Sequence, residues 1–240
     1  MEKKKERIAK IIAAAGVCSR RDAERKILAG SVKVNGTTLN TPAFLVSDTD
    51  KVEVDGVLLG QKPETRVWCY HKPAGLIVSA RDPKGRPTVF DQLPKHLPRV
   101  VSVGRLDFNS EGLLLLTNDG TLARQLELPT NGWKRKYRVR IHGTLSAEML
   151  GRLQKGVKVN GVQYAPCTVE VEKKQGTNTW ILMTLTEGKN REIRKLMDFF
   201  GTPVTRLIRI SYGPFMLGNL AKGEVREVPG KTLKGMIKCV

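Results

Sequence analysis

The feature that most constrains this chain is a change of pattern at residues 61–66, QKPETR. Before it, apolar residues recur at helical spacing. Ile8, Ile11, Ile12 and Ala15 form one stripe, and Gly16 ends it. Ser19 then precedes Arg20, Arg21 and Asp22, an N-cap with an acid at the third helical position. This second helix is expected to stop at Gly30. Short extended pieces follow, separated by Asn35-Gly36 and Asp55-Gly56, dipeptides suited to tight hairpin turns. Past residue 66 the chain becomes strand-rich. Extended segments are expected at 67–71, 76–79, 100–103, 113–117, 137–141 and 179–185, with helices at 121–126 and 189–200. Strands and helices mix without strict alternation, which predicts an α+β fold. The expected organisation is a small N-terminal unit at 1–60, a polar linker at 61–66 and a larger domain at 67–240.

Charge narrows the function. Lys and Arg total 42 in 240 residues against 23 Asp and Glu, a formal charge of +19. The excess is uneven, +3 over residues 1–65 and +16 over residues 66–240. Two runs are dense: KRKYRVR at 134–140 has five basic residues in seven, and KNREIRK at 189–195 has four. Either run alone could be a solvated face, but both together with a basic N-terminal region point to nucleic acid. Neither run has the large apolar face of a membrane-surface helix. The longest aliphatic run covers 113–116, far short of the roughly 20 residues that span a bilayer. The N-terminal stretch MEKKKERIAK lacks the apolar core of a signal peptide, so a cytoplasmic location is expected. Cys18, Cys69, Cys167 and Cys239 form no CxxC pair and are expected as reduced thiols rather than zinc ligands. No HxE grouping supports zinc deamination either. His71, His96 and His142 are expected to be structural or to face RNA.

Two apolar strands bracket a polar loop with Gly at both ends, GRLDFNSEG at 104–112. An Asp held between core strands is positioned as rigidly as a catalytic carboxylate must be. On the residues alone, a turn cap is the stronger reading of Asp107. Tyr137, alternating with Val139 and Ile141 on one strand face, reads by itself as core. Asp107 with Glu111 would be a candidate glycosidase pair, but so positive a chain does not suit a neutral sugar.

Longer motifs change that balance. The stretch ERIAKIIAAAGVCSRRDAERKILAGSVKVNG resembles the alpha-L RNA-binding module known from a small-subunit ribosomal protein. GRLDFNSEGLLLLTNDG resembles the signature of the pseudouridine synthases, in the branch that modifies single sites in small- or large-subunit ribosomal RNA. HKPAG at 71–75, RKYRVRIHG at 135–143 and EGKNREIRKLM at 187–197 resemble the other motifs, in order. DPKGRPTVFDQLP at 82–94 is similar to the large-subunit branch. The resemblance implies a mixed, largely antiparallel sheet with flanking helices, and isomerisation of a uridine in ribosomal RNA, more in keeping with the large subunit than the small.

That reaction gains and loses no atoms, so the resemblance implies no cofactor and no metal. It implies Asp107 as the essential carboxylate, attacking covalently or taking the ribose proton beside the anomeric carbon. Asp107 must then be ionised, which burial opposes and a neighbouring cation favours. Arg194 is implied as that partner, its fork holding the carboxylate. Tyr137 would stack on the extruded uracil, and its phenol could take the carbon-5 proton. The expected RNA contacts are Arg20, Arg21, Arg25 and Lys26 near a helix N-terminus, Arg105 at the extruded base, Lys136 and Arg138 on phosphate, and Lys189 and Arg191. Binding should weaken steeply with salt. Nothing in the sequence looks like a self-complementary apolar face, so a monomer is expected. A catalytically idle RNA-binding assembly factor is the rival reading.

Overall fold

Ile8 and Ile12, one helical turn apart, are fully buried, and around them the N-terminal unit assembles. The computed structural model describes residues 5–237. Cys239, expected as a thiol, lies outside the described residues. Strand β1 (Glu6–Arg7) leads into α1 (Ile8–Ala14), and Gly16 follows with φ of +85°. Helix α2 (Arg20–Leu28) is capped as expected: the Ser19 hydroxyl accepts the Asp22 N–H at 3.1 Å. Arg25 and Lys26, however, lie in the last turn of α2 rather than near its N-terminus. Arg25 pairs with Asp22, and Lys26 with Asp55 at 2.6 Å. Arg20 and Arg21 remain exposed in the first turn.

A four-stranded sheet joins β2 (Val32–Val34), β3 (Thr37–Thr38), β5 (Val52–Val54) and β6 (Val57–Leu58), while β4 (Leu45–Val46) pairs with β1. Both expected hairpins form. Asn35 and Gly36 have φ of +50° and +81°, and Asp55 and Gly56 have +53° and +81°, the two consecutive positive values that a type I′ turn requires. Val32, Val34, Val52 and Val54 face Ile8, Ile12 and Ile27 in a single small core.

The compact N-terminal unit runs to Arg66 and includes His96–Val101 and Asn118–Gly120. Residues 61–66 are thus part of that unit rather than a free linker. Lys62 and Thr65 both donate to the Asp119 carboxylate, at 2.7 and 2.8 Å, and the Arg66 N–H donates to Asn118 at 2.8 Å.

The larger unit holds a nine-stranded sheet. In chain order its elements are β7 (Val67–Lys72), β8 (Val101–Val103), β9 (Glu111–Thr117), α3 (Gly120–Glu127) and β10 (Arg135–His142). There follow α4 (Ala147–Lys155), the hairpin β11 (Val157–Val159) and β12 (Val162–Tyr164), β13 (Thr168–Gln175), β14 (Asn178–Leu185) and α5 (Glu192–Phe199). The chain closes with β15 (Val204–Tyr212), β16 (Phe215–Met216), β17 (Val225–Glu227) and α6 (Gly230–Ile237). The main sheet order is β13-β14-β10-β15-β9-β7-β17, with β8 on β9 and β16 on β15. Neighbours along this order are antiparallel except β15 and β9, which run parallel. This is the expected α+β architecture.

Leu113, Leu114, Leu115 and Leu116 are all fully buried, so β9 is covered on both faces. One expected strand is missing. Residues 76–79 make only an isolated bridge, Ile77 with Thr88, because Ile77 bonds along a Pro-bounded loop rather than a full partner strand. Helix α5 also starts three residues later than its apolar spacing suggested. Arg191 has φ of +51°, outside the helical region, so the helix begins at Glu192.

Candidate active site

Strands β8 and β9 hold the loop that carries Asp107. Its backbone is tied from several sides. The Gly104 N–H donates to the Glu127 carboxylate at 2.7 Å, the Ser110 N–H to the Asp107 carbonyl at 3.0 Å, and the Gly75 N–H to the Phe108 carbonyl at 2.9 Å. The strongest tie comes from Lys72 at the end of β7. Its side chain is fully buried, and its ammonium reaches the carbonyl oxygens of Ser110 (2.8 Å), Asp107 (3.1 Å), Pro73 (3.1 Å) and Phe108 (3.3 Å). Burial lowers its pKa to about 8, against the opposing pull of the Asp107 and Glu111 charges. A buried cation of this kind is tolerable because carbonyl dipoles replace its water.

Lys72→Met should therefore cost about 1–3 kcal/mol of stability by stranding buried acceptors. Because three of those acceptors belong to the Asp107 loop, it should slow turnover more than it weakens RNA binding. Urea unfolding and single-turnover rates would check both. Within HKPAG no local signal singles out Lys72. Strand β7 is buried almost throughout, so no alternation marks that lysine as inward.

A cleft of about 390 Å³ opens beside the loop, lined by Asp107, Arg105, Tyr137, Arg191 and Arg194 among others. The Asp107 side chain is 32% exposed, and among the described residues it pairs with Arg191, with Nη1 3.9 Å from Oδ2. This corrects the expected pairing. Arg194 lines the same cleft, but its two terminal nitrogens donate to the carbonyls of Asn109 (3.2 Å) and Val204 (3.4 Å), and its buried Nε meets no acceptor. Burial and the Arg191 charge lower the Arg194 pKa, and the Asp107 charge opposes them. The late start of α5 explains the exchange. Arg191 stands outside the helix in a left-handed conformation, while Arg194, part-buried, clamps the loop backbone.

Tyr137 is half-buried, packs on the main core and also lines the cleft. Arg105 is exposed at the cleft, and Lys189 lies there paired with Glu187. Lys136 and Arg138 alternate with Tyr137 and do not line the cleft. Arg138 donates to Glu172 at 2.7 Å, with its guanidinium 4.5 Å from the centre of the Trp180 ring. Arg135, two residues before Tyr137, takes the cleft side instead. The same alternation could have selected it. Arg209 and Tyr212 also line the cleft from β15, a strand that sequence reading did not find.

Glu111 cannot serve as the acid of a glycosidase pair. Arg206 binds it through both oxygens, at 2.8 and 3.0 Å, and Lys222 at 2.7 Å. With Arg206 the main cause and Lys222 assisting, its pKa falls to about 2, so it has no proton to give at neutral pH. Burial pushes the thiols of Cys69 and Cys167 up to about 11, which makes them poor nucleophiles. The Nδ1 of His71 lies 2.7 Å from the Leu220 carbonyl oxygen.

The family model of RNA pseudouridylate synthase matches residues 66–198, the span that holds this cleft. The chain belongs to that family. An S4 domain model matches residues 6–52, over the capped helix pair. An "Uncharacterized RNA pseudouridine synthase" of Rickettsia felis is 50% identical over 229 residues, 95% of this chain and 99% of that relative. "Ribosomal large subunit pseudouridine synthase B" of Yersinia pestis is 42% identical over 224 residues, 91% of this chain and 70% of the relative. A crystal structure of a pseudouridylate synthase superposes with a TM-score of 0.67 at 24% identity, covering 96% of this chain and 99% of the other, which shows the shared fold. The pseudouridine synthase thus carries its cleft on the central strands of the sheet, and its enzymatic activity is isomerisation of uridine in RNA.

Proposed function

We propose that this enzyme converts a uridine of large-subunit ribosomal RNA to pseudouridine, as a cytoplasmic monomer using no metal or cofactor. The bond from ribose to base nitrogen 1 breaks, the uracil turns, and carbon 5 joins the ribose. Carbon 5 loses a proton and nitrogen 1 gains one, so no redox partner or donor group enters. Asp107 supplies the carboxylate, either as a nucleophile or as the base for the ribose proton. Tyr137 stacks on the uracil, and Arg105 occupies the space the base leaves in the RNA. Arg191 balances the Asp107 charge, and Arg194 fixes the loop. The exposed Arg20 and Arg21 meet phosphate.

The observation that carries this reading is the state of Asp107. Unlike Glu111, its carboxylate is not saturated by close cations. It stands part-exposed in a cleft lined by arginines, on a loop whose backbone is clamped. The large-subunit assignment rests on the segment at 82–94 and on the printed name of the Yersinia pestis relative.

Mapping pseudouridine in ribosomal RNA from cells with and without the gene tests the proposal. Loss of one large-subunit site is expected. Loss confined to the small subunit would reassign the substrate, and an unchanged map would favour the idle assembly factor.

A further inference from the structure

At the start of α5 the cleft holds a buried acidic group that the proposed chemistry does not use. Glu192 is 5% exposed. Its Oε2 accepts the Lys189 N–H at 2.9 Å, whereas its buried Oε1 meets no donor. The carboxylate of Glu187 lines the same cleft and interacts with it electrostatically. Glu187 is itself anchored, accepting the Ala165 N–H at 2.9 Å and pairing with the Lys189 ammonium. Two acceptors so placed, one of them buried, need a proton between them. Arg191, the residue just before Glu192, is held at φ of +51° with its guanidinium toward Asp107. A non-glycine residue stays in that conformation only where its surroundings impose it.

We infer that Glu192 and Glu187 share one proton, and that this bond holds segment 187–192 closed so that Arg191 stands beside Asp107. Glu192 is then a positioning residue. The inference rests on the reading of Asp107 as the reacting carboxylate. Burial raises the Glu192 pKa to about 7, the Lys189 amide opposes the rise and Glu187 adds to it. Burial also pushes Glu187 upward, but Lys189, the Ala165 amide and Glu192 outweigh it and bring Glu187 below the usual range. The remaining charged or titratable groups around the pair come from several elements. Arg135 of β10 bonds the Thr186 carbonyl, and Tyr164 of β12 lies under the Lys189 ammonium. Cys167 is a neutral buried thiol. Arg209 of β15 lines the cleft, as does Arg194 of α5, whereas Lys158 of β11 and Lys195 and Asp198 of α5 are exposed. None of these supplies an acceptor that would replace Glu187.

The folded chain keeps the Glu192 proton to higher pH than the unfolded one. Native stability from this pair is therefore full at acid pH and falls as pH rises through about 7. Loss of the proton sets two carboxylates against each other and releases Arg191.

The test uses the full-length protein, ribosomal RNA from cells lacking the gene, and single-turnover pseudouridine formation between pH 6.5 and 8. Glu192→Gln supplies a permanent donor to Glu187. Its rate relative to wild type should rise about tenfold over that range, since each pH unit above the pKa empties the protonated state tenfold. Its melting temperature should also lose the wild-type fall across neutrality. A ratio that stays flat would overturn the inference. Should Glu192→Gln fail to fold, Glu187→Gln places a permanent donor on the other side and carries the same expectation and the same refutation. Asp107→Asn serves as control. An active Asp107→Asn enzyme would remove the reading on which the inference rests, while an inactive one with a flat Gln ratio would remove the shared proton alone.

Discussion

Asp107→Asn should abolish pseudouridine formation, lowering the single-turnover rate by about 10⁴-fold or more, the range seen when an essential nucleophile or base is removed. The amide has nearly the same shape, so the loop should keep its fold. That fold does not depend on the carboxylate. Lys72, Arg194 and the Gly75 amide all hold backbone carbonyls of the loop. An amide neither attacks a sugar carbon nor accepts a proton usefully at neutral pH, so both routes open to Asp107 close together. Removing one negative charge from a strongly basic cleft should leave RNA affinity equal to wild type or slightly higher. Filter binding and thin-layer analysis of digested RNA would separate the two effects. Retained activity would move the chemistry to another group, and lost affinity would show that the variant had disturbed the cleft itself.

Gly112→Ala is expected to destabilise the enzyme by about 4 kcal/mol, combining roughly 1–3 of backbone strain with roughly 1–3 of overpacking. Gly112 has φ of +102°, and an added Cβ would lie 2.2 Å from the Arg209 carbonyl oxygen and 2.6 Å from its nitrogen. That neighbour is backbone and cannot swing aside. It is also the site where β9 and β15 pair in parallel, Gly112 opposite Arg209, at the end of the Asp107 loop. Relief would require separating the two central strands, so activity should fall with stability. Gly104 at the other end of the loop provides the contrast. Its φ is +67°, but an added Cβ meets nothing within 4 Å. Gly104→Ala should therefore cost only the left-handed penalty of about 1–2 kcal/mol. Thermal and urea unfolding of both variants would check the difference. Equal losses would mean that crowding at the strand pair is not the cause.

Much of the fold was legible because its causes are local. Asn-Gly and Asp-Gly take the backbone angles of a type I′ turn wherever they stand, so the hairpins at Asn35 and Asp55 could be read directly. Asn160-Gly161 makes a third turn of this kind, with φ of +49° and +81°, and carried the same signal unread. Ser19 caps α2 through a contact three residues long. Four consecutive leucines can only be core, and all four are. Strand β15 escaped notice because Arg206 and Arg209 interrupt its apolar pattern. Their partners, Glu111 and the Leu113 carbonyl, lie about a hundred residues upstream. Arg191 and Arg194 could not be told apart by spacing, since both sit in one basic run and either could face a carboxylate.

By itself, then, the sequence determined the two units, the α+β class, the RNA-directed charge and the loop that presents Asp107. Each follows from short-range patterns or from an ordered set of motifs. Only the tertiary structure decided which cation stands beside that carboxylate and what holds its loop. It placed Arg191 there by a left-handed residue ahead of α5, turned Arg194 onto backbone, and buried Lys72 under four carbonyls. Direction and burial of a charged side chain depend on strands distant in sequence that pair across the sheet, and no local pattern records that pairing.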